Sequence, residues 1–203
     1  MHTIDLSQSY TFSKFFDLKI AAKDLATAFG YGFKRAFLNL NEYSGSLDRT
    51  DQTRDRIKEV LPFVNLSNET ARREILISPI IYDLIHYTQI EVRIEYPIRA
   101  SDQLQGYVDY FLEAPHKVLV VEAKKEDLEL GMTQLIAELI ALDHWLETDT
   151  NPLVGAVTTG KIWEFAKLDR LTQSISQGLE SYRVPADLEP LTRILVQLLS
   201  QDN

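Results

Sequence analysis

The sequence predicts an α/β layer fold with a mixed sheet of about five strands flanked by helices, on three observations. The apolar period changes from 3.6 residues to two at about residue 89 and stays near two to residue 124. One long apolar helix follows, over about residues 132–147, and two more strand-like runs come after it. Short loops among the first three strands predict an antiparallel meander, and the helix before the fourth makes the sheet mixed.

From residue 12 to 40, apolar clusters alternate with Lys, Asp and Arg at helical spacing and are interrupted by Gly30 and Gly32, which predicts two helical pieces. Residues 41–53 read as a loop, and residues 54–63 as a short helix ended by Pro62. Ser67 or Asn68 can cap the next helix, with Glu69 in its first turn and Ser78-Pro79 as a kink or a new start. Strands are expected at 89–98, 105–113 and 117–124, then at 153–158 and 162–167 around the turn Thr159-Gly160-Lys161. Two helices, near 171–182 and 187–199, complete the order. We read one domain, with a helical N-terminal extension at 1–64, a core at 65–168 and C-terminal helices at 169–203.

With 203 residues, 45% apolar and 25% charged, the chain suits one packed core. Eight glycines and seven prolines exclude a collagen-like or low-complexity protein, and the absence of cysteine excludes disulfides and Cys-ligated zinc. The start lacks a basic segment followed by an apolar stretch, and no apolar run reaches about 18 residues, so a cytoplasmic chain with no membrane contact is expected. The net charge of −9 has the wrong sign for nucleic-acid binding by charge alone, and residues 101–149, with eleven acids against three lysines, carry nearly all of it. Residues 14–35 are mildly basic, most simply a solvated face. The four histidines have no ligand spacing, and no phosphate-cradling loop, nucleophile elbow or HExxH is present.

The chemistry lies in the second and third strands. Alternation puts Val118, Val120, Glu122 and Lys124 on one face of the third, and Tyr107, Asp109 and Phe111 on one side of the second. If those faces match, Asp109 meets Glu122, and two adjacent carboxylates need a cation or a proton between them. With oxygen ligands alone, Mg²⁺ or Mn²⁺ is the natural occupant, and Lys124 beside it suits a metal-assisted hydrolysis site.

Gly106-Tyr107-Val108-Asp109, twelve intervening residues and Glu122-Ala123-Lys124 resemble the PD-(D/E)XK nuclease superfamily, although the proline of the motif is absent. Residues 69–81 look like the helix before the sheet in the amino-terminal domain of type I restriction subunits, and residues 155–165 resemble the closing strand pair of that family. The resemblance covers about residues 66–168 and implies a restriction-endonuclease-like sheet, DNA as partner, and a metal held by Asp109, Glu122 and the Ala123 carbonyl. It gives Lys124 the role of orienting or deprotonating water, and gives Glu69 and Gln134 supporting roles. Taken singly, Glu69 could instead pair with Arg73 one turn on, and Gln134 could bond a strand end.

Two functions follow. The first is a Mg²⁺-dependent endonuclease that hydrolyses DNA phosphodiesters; the second is a binding or assembly module that keeps the nuclease fold without cleavage. A homodimer or a partner subunit would meet the flanking helices.

Overall fold

The computed structural model describes residues 4–5, 7–114, 117–124 and 127–200. Its centre is one seven-stranded mixed sheet in the order β1-β7-β6-β5-β4-β3-β2. The strands are β1 (Gly32–Ala36), β2 (Glu91–Arg99), β3 (Gln105–Ala114), β4 (Lys117–Ala123), β5 (Leu153–Thr158), β6 (Ile162–Asp169) and β7 (Ser174–Arg183). Strands β2, β3 and β4 form an antiparallel meander, whereas β4 and β5 run parallel across a helical crossover. His116 lies outside the described residues.

Helices α1 (Phe12–Asp17), α2 (Ala22–Ala28) and α6 (Leu128–Trp145) cover one face of the sheet. The other face carries α3 (Thr50–Val60), α4 (Glu69–Arg72), α5 (Ser78–Thr88) and α7 (Leu188–Leu199). Alternation in β4 sorts its side chains between the layers: Val118 and Val120 enter the α6 core, and Leu119, Val121 and Ala123 the α7 core. Helix α6 is buried without a break from Gly131 to Leu142, which explains its apolar composition on every side. Each fully buried Leu or Ile there contributes about 1.5–3 kcal/mol.

Two sequence expectations are corrected. Strands number seven, not five: the N-terminal part read as a helical extension contributes edge strand β1, and the segment read as a helix over 171–182 is β7. Strand β7 misled because its pairing with β6 slips between Glu164 and Ala166, so its apolar residues Ile175, Leu179 and Tyr182 do not alternate. Strand β1 has only five residues and pairs in parallel with β7, a partner about 140 residues away. Chain periodicity carries no sign of so short and non-local an edge.

The segment before the sheet starts where the sequence suggests. Asn68 caps α4, its Oδ1 accepting from the Ala71 amide at 2.7 Å. A π-helical turn, Arg73–Ile77, then joins α4 to α5, which opens with Ser78-Pro79. This turn packs on the β5–β6 loop, where Gly160 (φ +78°) comes so close that a Cβ on it would meet the Leu76 Cβ at 2.9 Å. Arg72 Nη1 donates to the Thr159 carbonyl at 3.1 Å. Among the described residues, no helix is long and apolar enough to cross a membrane.

Candidate active site

Strands β3 and β4 pair regularly from Ala114↔Lys117 to Tyr110↔Val121. One step further on, the Asp109 side chain takes over from the ladder, with Oδ2 accepting from the Ala123 amide at 2.7 Å. Beyond that point β4 stays paired to β5, up to Ala123↔Thr158. This fork lies at the carboxyl end of the parallel β4–β5 pair, where open α/β sheets commonly receive ligands.

Glu122 is 2% exposed and points to α6. Its Oε1 accepts from Gln134 Nε2 at 2.6 Å and lies 2.5 Å from Lys124 Nζ, and the Glu138 carboxyl hydrogen-bonds to the Glu122 carboxyl as well. Lys124 Nζ also donates to Gln134 Oε1 at 2.9 Å. The structure thus brings Asp109, Glu122, Lys124 and Gln134 into one connected group, and Glu69 stands within the field of Asp109 and Lys124. The Ala123 amide is engaged by Asp109.

Sequence reasoning gave no role to two residues of this group. Glu138 is completely buried, accepts from Gln134 Nε2 at 3.0 Å and shares a carboxyl–carboxyl hydrogen bond with Glu122. Its signal was present: Gln134 and Glu138 are four apart on one helix and share a face. Arg73 was considered only as a mate for Glu69. Its Nη1 lies instead 3.2 Å from Glu95 and 3.6 Å from Asp109 Oδ1, while its guanidinium sits over the Tyr110 ring. The π-helical turn that begins at Arg73 sets this aim, and π-turns inside helices frequently mark functional positions. Glu95 reaches Arg73 from a left-handed backbone position, φ +51°.

Two glycine and aromatic contacts place Lys124. A Cβ on Gly131 would fall 2.9 Å from the Lys124 Cγ and 2.8 Å from the Val157 Cγ2, so only glycine lets the lysine stem pass α6. The Phe16 ring of α1 lies 5.1 Å from the Lys124 ammonium, a cation–π contact. Tyr107, by contrast, is exposed, and Phe111 belongs to the core. Of the loop after β4, Lys125 and Glu126 lie outside the described residues, while Asp127 caps α6 and Glu129 pairs with Arg35.

The electrostatics favour protons or cations at this fork. Burial, reinforced by Asp109, pushes the Glu122 carboxyl up to about 7 even though Lys124 pulls it down. Burial and the adjacent Glu122 hold Glu138 well above the ordinary carboxyl range. Burial also raises Asp109, against the Ala123 amide and Arg73, and raises Glu69, with Asp109 adding to it. Burial opposes charge on Lys124, but Glu122, Glu138 and Asp109 together keep its ammonium more firmly protonated than usual.

Among the described residues, no three Asp, Glu, His or Cys side chains close on one point at ligating distance. The donor chemistry nonetheless suits a hard divalent ion: Asp109 Oδ1 is engaged only by the distant Arg73, and the buried Glu122 offers a carboxylate beside it. Comparison of the chain with protein-family models, curated proteins and solved structures finds no match.

Proposed function

We propose that the chain is a Mg²⁺- or Mn²⁺-dependent nuclease of restriction-endonuclease-like fold that hydrolyses DNA phosphodiester bonds. The observation that carries the reading is the meeting of Asp109, Glu122 and Lys124 at the β3–β4 fork, where the sheet pairing of β3 ends. Asp109, Glu122 and the Ala123 carbonyl would hold the ion, and Gln134 and Glu138 fix the Glu122 carboxyl against α6. A divalent ion bound there supplies an acidified water and polarises a phosphoryl oxygen. Lys124, kept as an ammonium by the surrounding carboxylates, stabilises negative charge on the phosphate and orients the water rather than taking its proton. Arg73 can reach the same charge by leaving Asp109, from which it is already 3.6 Å away. Glu69 remains beside the group as a supporting acid.

A second reading is a DNA-binding or assembly module without cleavage. It is favoured by the ion pairs Lys124–Glu122 and Arg73–Asp109, which already give the carboxylates cationic partners. Plasmid, linear and single-stranded DNA incubated with Mn²⁺ separate the two. Wild type should nick or cut, and Glu122→Ala and Lys124→Ala should not; activity that survives both substitutions overturns the assigned site. Calorimetry showing no Mg²⁺ or Mn²⁺ binding to wild type would select the module.

A further inference from the structure

We propose a second site: a cleft of about 500 Å³ between the α1–α2 turn, β1 and the start of α6 that takes one nucleotide unit of a polynucleotide strand. Three cations ring it, Lys19, Lys23 and Arg35, and its apolar lining includes Ile20, Phe33 and Leu130. This combination, cations beside an aromatic-bearing apolar wall, is what holds phosphate and base together in single-stranded nucleic-acid grooves. The volume lies in the range of sites that enclose a small organic ligand.

All three cations belong to the mildly basic segment 14–35 of a chain whose net charge is −9, and the α1–α2 turn and β1 bring them to one cleft. Among the described residues, neither Lys19 nor Lys23 has a carboxylate partner. Arg35 pairs with Glu129 on the rim, at 3.1 Å, but both side chains are more than half exposed, so a phosphate can displace that carboxylate at little cost. Lys19 holds a left-handed backbone, φ +51°, at the end of α1, a position that glycine or asparagine fills more comfortably.

The cleft adjoins the candidate active site through two elements. Helix α1 places Phe16 over Lys124 three residues before Lys19, and α6 places Gly131 against the Lys124 stem directly after Leu130. A strand leaving the β3–β4 fork past Phe16 therefore meets Lys19 and Lys23 next. The choice of a polynucleotide rests on the hydrolase reading; the cation-rimmed cleft does not.

The test is anisotropy of a fluorescein-labelled single-stranded 15-mer in EDTA, with wild type, Lys19→Gly and Lys23→Ala. Each variant should bind roughly tenfold more weakly. The salt dependence should become shallower by about 0.7 in log–log slope for each phosphate that a variant no longer neutralises. Lys19→Gly should also melt above wild type, because glycine relieves the left-handed backbone, which separates weaker binding from weaker folding. Wild-type affinity in both variants overturns the site, as does failure of wild type to bind. Binding of dAMP as tight as that of the 15-mer overturns the assignment to a polymer. If both variants fail to bind while wild type shows no Mn²⁺-dependent cleavage, the cleft stands and the hydrolase reading falls. If wild type cleaves and both variants keep its KM, the reverse holds.

Discussion

Glu122 makes the stability of the metal-free protein depend on pH in a direction opposite to that of most surface acids. Its carboxyl rises from 4.5 in the open chain to about 7 in the fold, chiefly because it is buried, so the ionised form is disfavoured by folding. Stability from this group is therefore fully present below 4.5 and is lost as pH climbs through about 7. At about 1.4 kcal/mol per tenfold change in proton affinity, the whole loss is about 3 kcal/mol, of which roughly 2 to 3 kcal/mol falls between pH 5 and 8. For a chain of this size that lowers Tm by roughly 5 to 10 °C. The assay is a melting series in EDTA across that range, comparing wild type with Glu122→Gln. Glutamine keeps an acceptor for Gln134 Nε2 but cannot ionise, so the variant should show a flatter profile and overtake wild type near pH 8. Mn²⁺ should flatten the wild-type profile too, by offsetting the ionised carboxylate. Parallel profiles for the two proteins in EDTA would refute the reasoning, since Glu122 would then be as well solvated in the fold as in the open chain.

Three other substitutions examine separate links. Asp109→Asn keeps an acceptor for the Ala123 amide but removes the charge, so Mn²⁺ affinity measured by calorimetry should fall by more than roughly a hundredfold, beyond what loss of a supporting residue costs. Gly131→Ala should destabilise by about 1–3 kcal/mol in urea, because the new methyl meets Val157 and Lys124 below 3 Å. A higher midpoint, as helix propensity alone would give, would contradict that packing. Arg170 Nε lies 2.7 Å from Asp143 and its terminal nitrogens donate to the carbonyls of Asp143, Leu146, Thr148 and Thr150. Removing it leaves the largely buried Asp143 carboxylate without a cation, held only by the Tyr31 hydroxyl at 2.5 Å, and Arg170→Ala should cost about 3–5 kcal/mol by the same urea assay. A loss below about 1 kcal/mol would show that the loop after α6 does not depend on this residue.

What the sequence disclosed depended on how local the signal was. The β2–β3–β4 meander has a regular period and α6 a long apolar run, and the alternation in β4 places Glu122 and the core valines as it implies. Asp109 and Glu122 could be set on one face because a strand has period two and the meander loops are short. The edge strands gave no such handle: β1 owes its existence to β7, and β7 hides its period behind a slipped pairing. Within the site, the side chains that sequence reasoning passed over are those fixed by tertiary contact. Arg73 is turned by a π-helical turn that no residue pattern announces. Phe16 reaches Lys124 from more than a hundred residues away. Glu138 was visible as an acid inside an apolar helix, and its spacing from Gln134 was enough to suggest a shared face.

The negative charge that argued against DNA looks different once the acids are placed. Of the eleven acids in residues 101–149, Glu122 and Glu138 are buried, and burial pushes both carboxyls upward, which disfavours their charged forms. Asp109 and Asp143 are mostly enclosed and face Arg73 and Arg170. Glu113, Asp102 and Glu129 pair with Arg93, Arg99 and Arg35. Much of the formal excess thus lies inside the protein or beside an arginine, and it does not project a field far into solvent, where screening already limits charge to about 10 Å. On the proposed function, Asp109 and Glu122 at the β3–β4 fork would exchange part of their pairing with Arg73 and Lys124 for a divalent cation. On that reading a strand of DNA approaching the fork would meet a bound cation together with Lys124, with Lys19 and Lys23 beyond it, so the overall sign of the chain does not decide whether a polyanion can bind there.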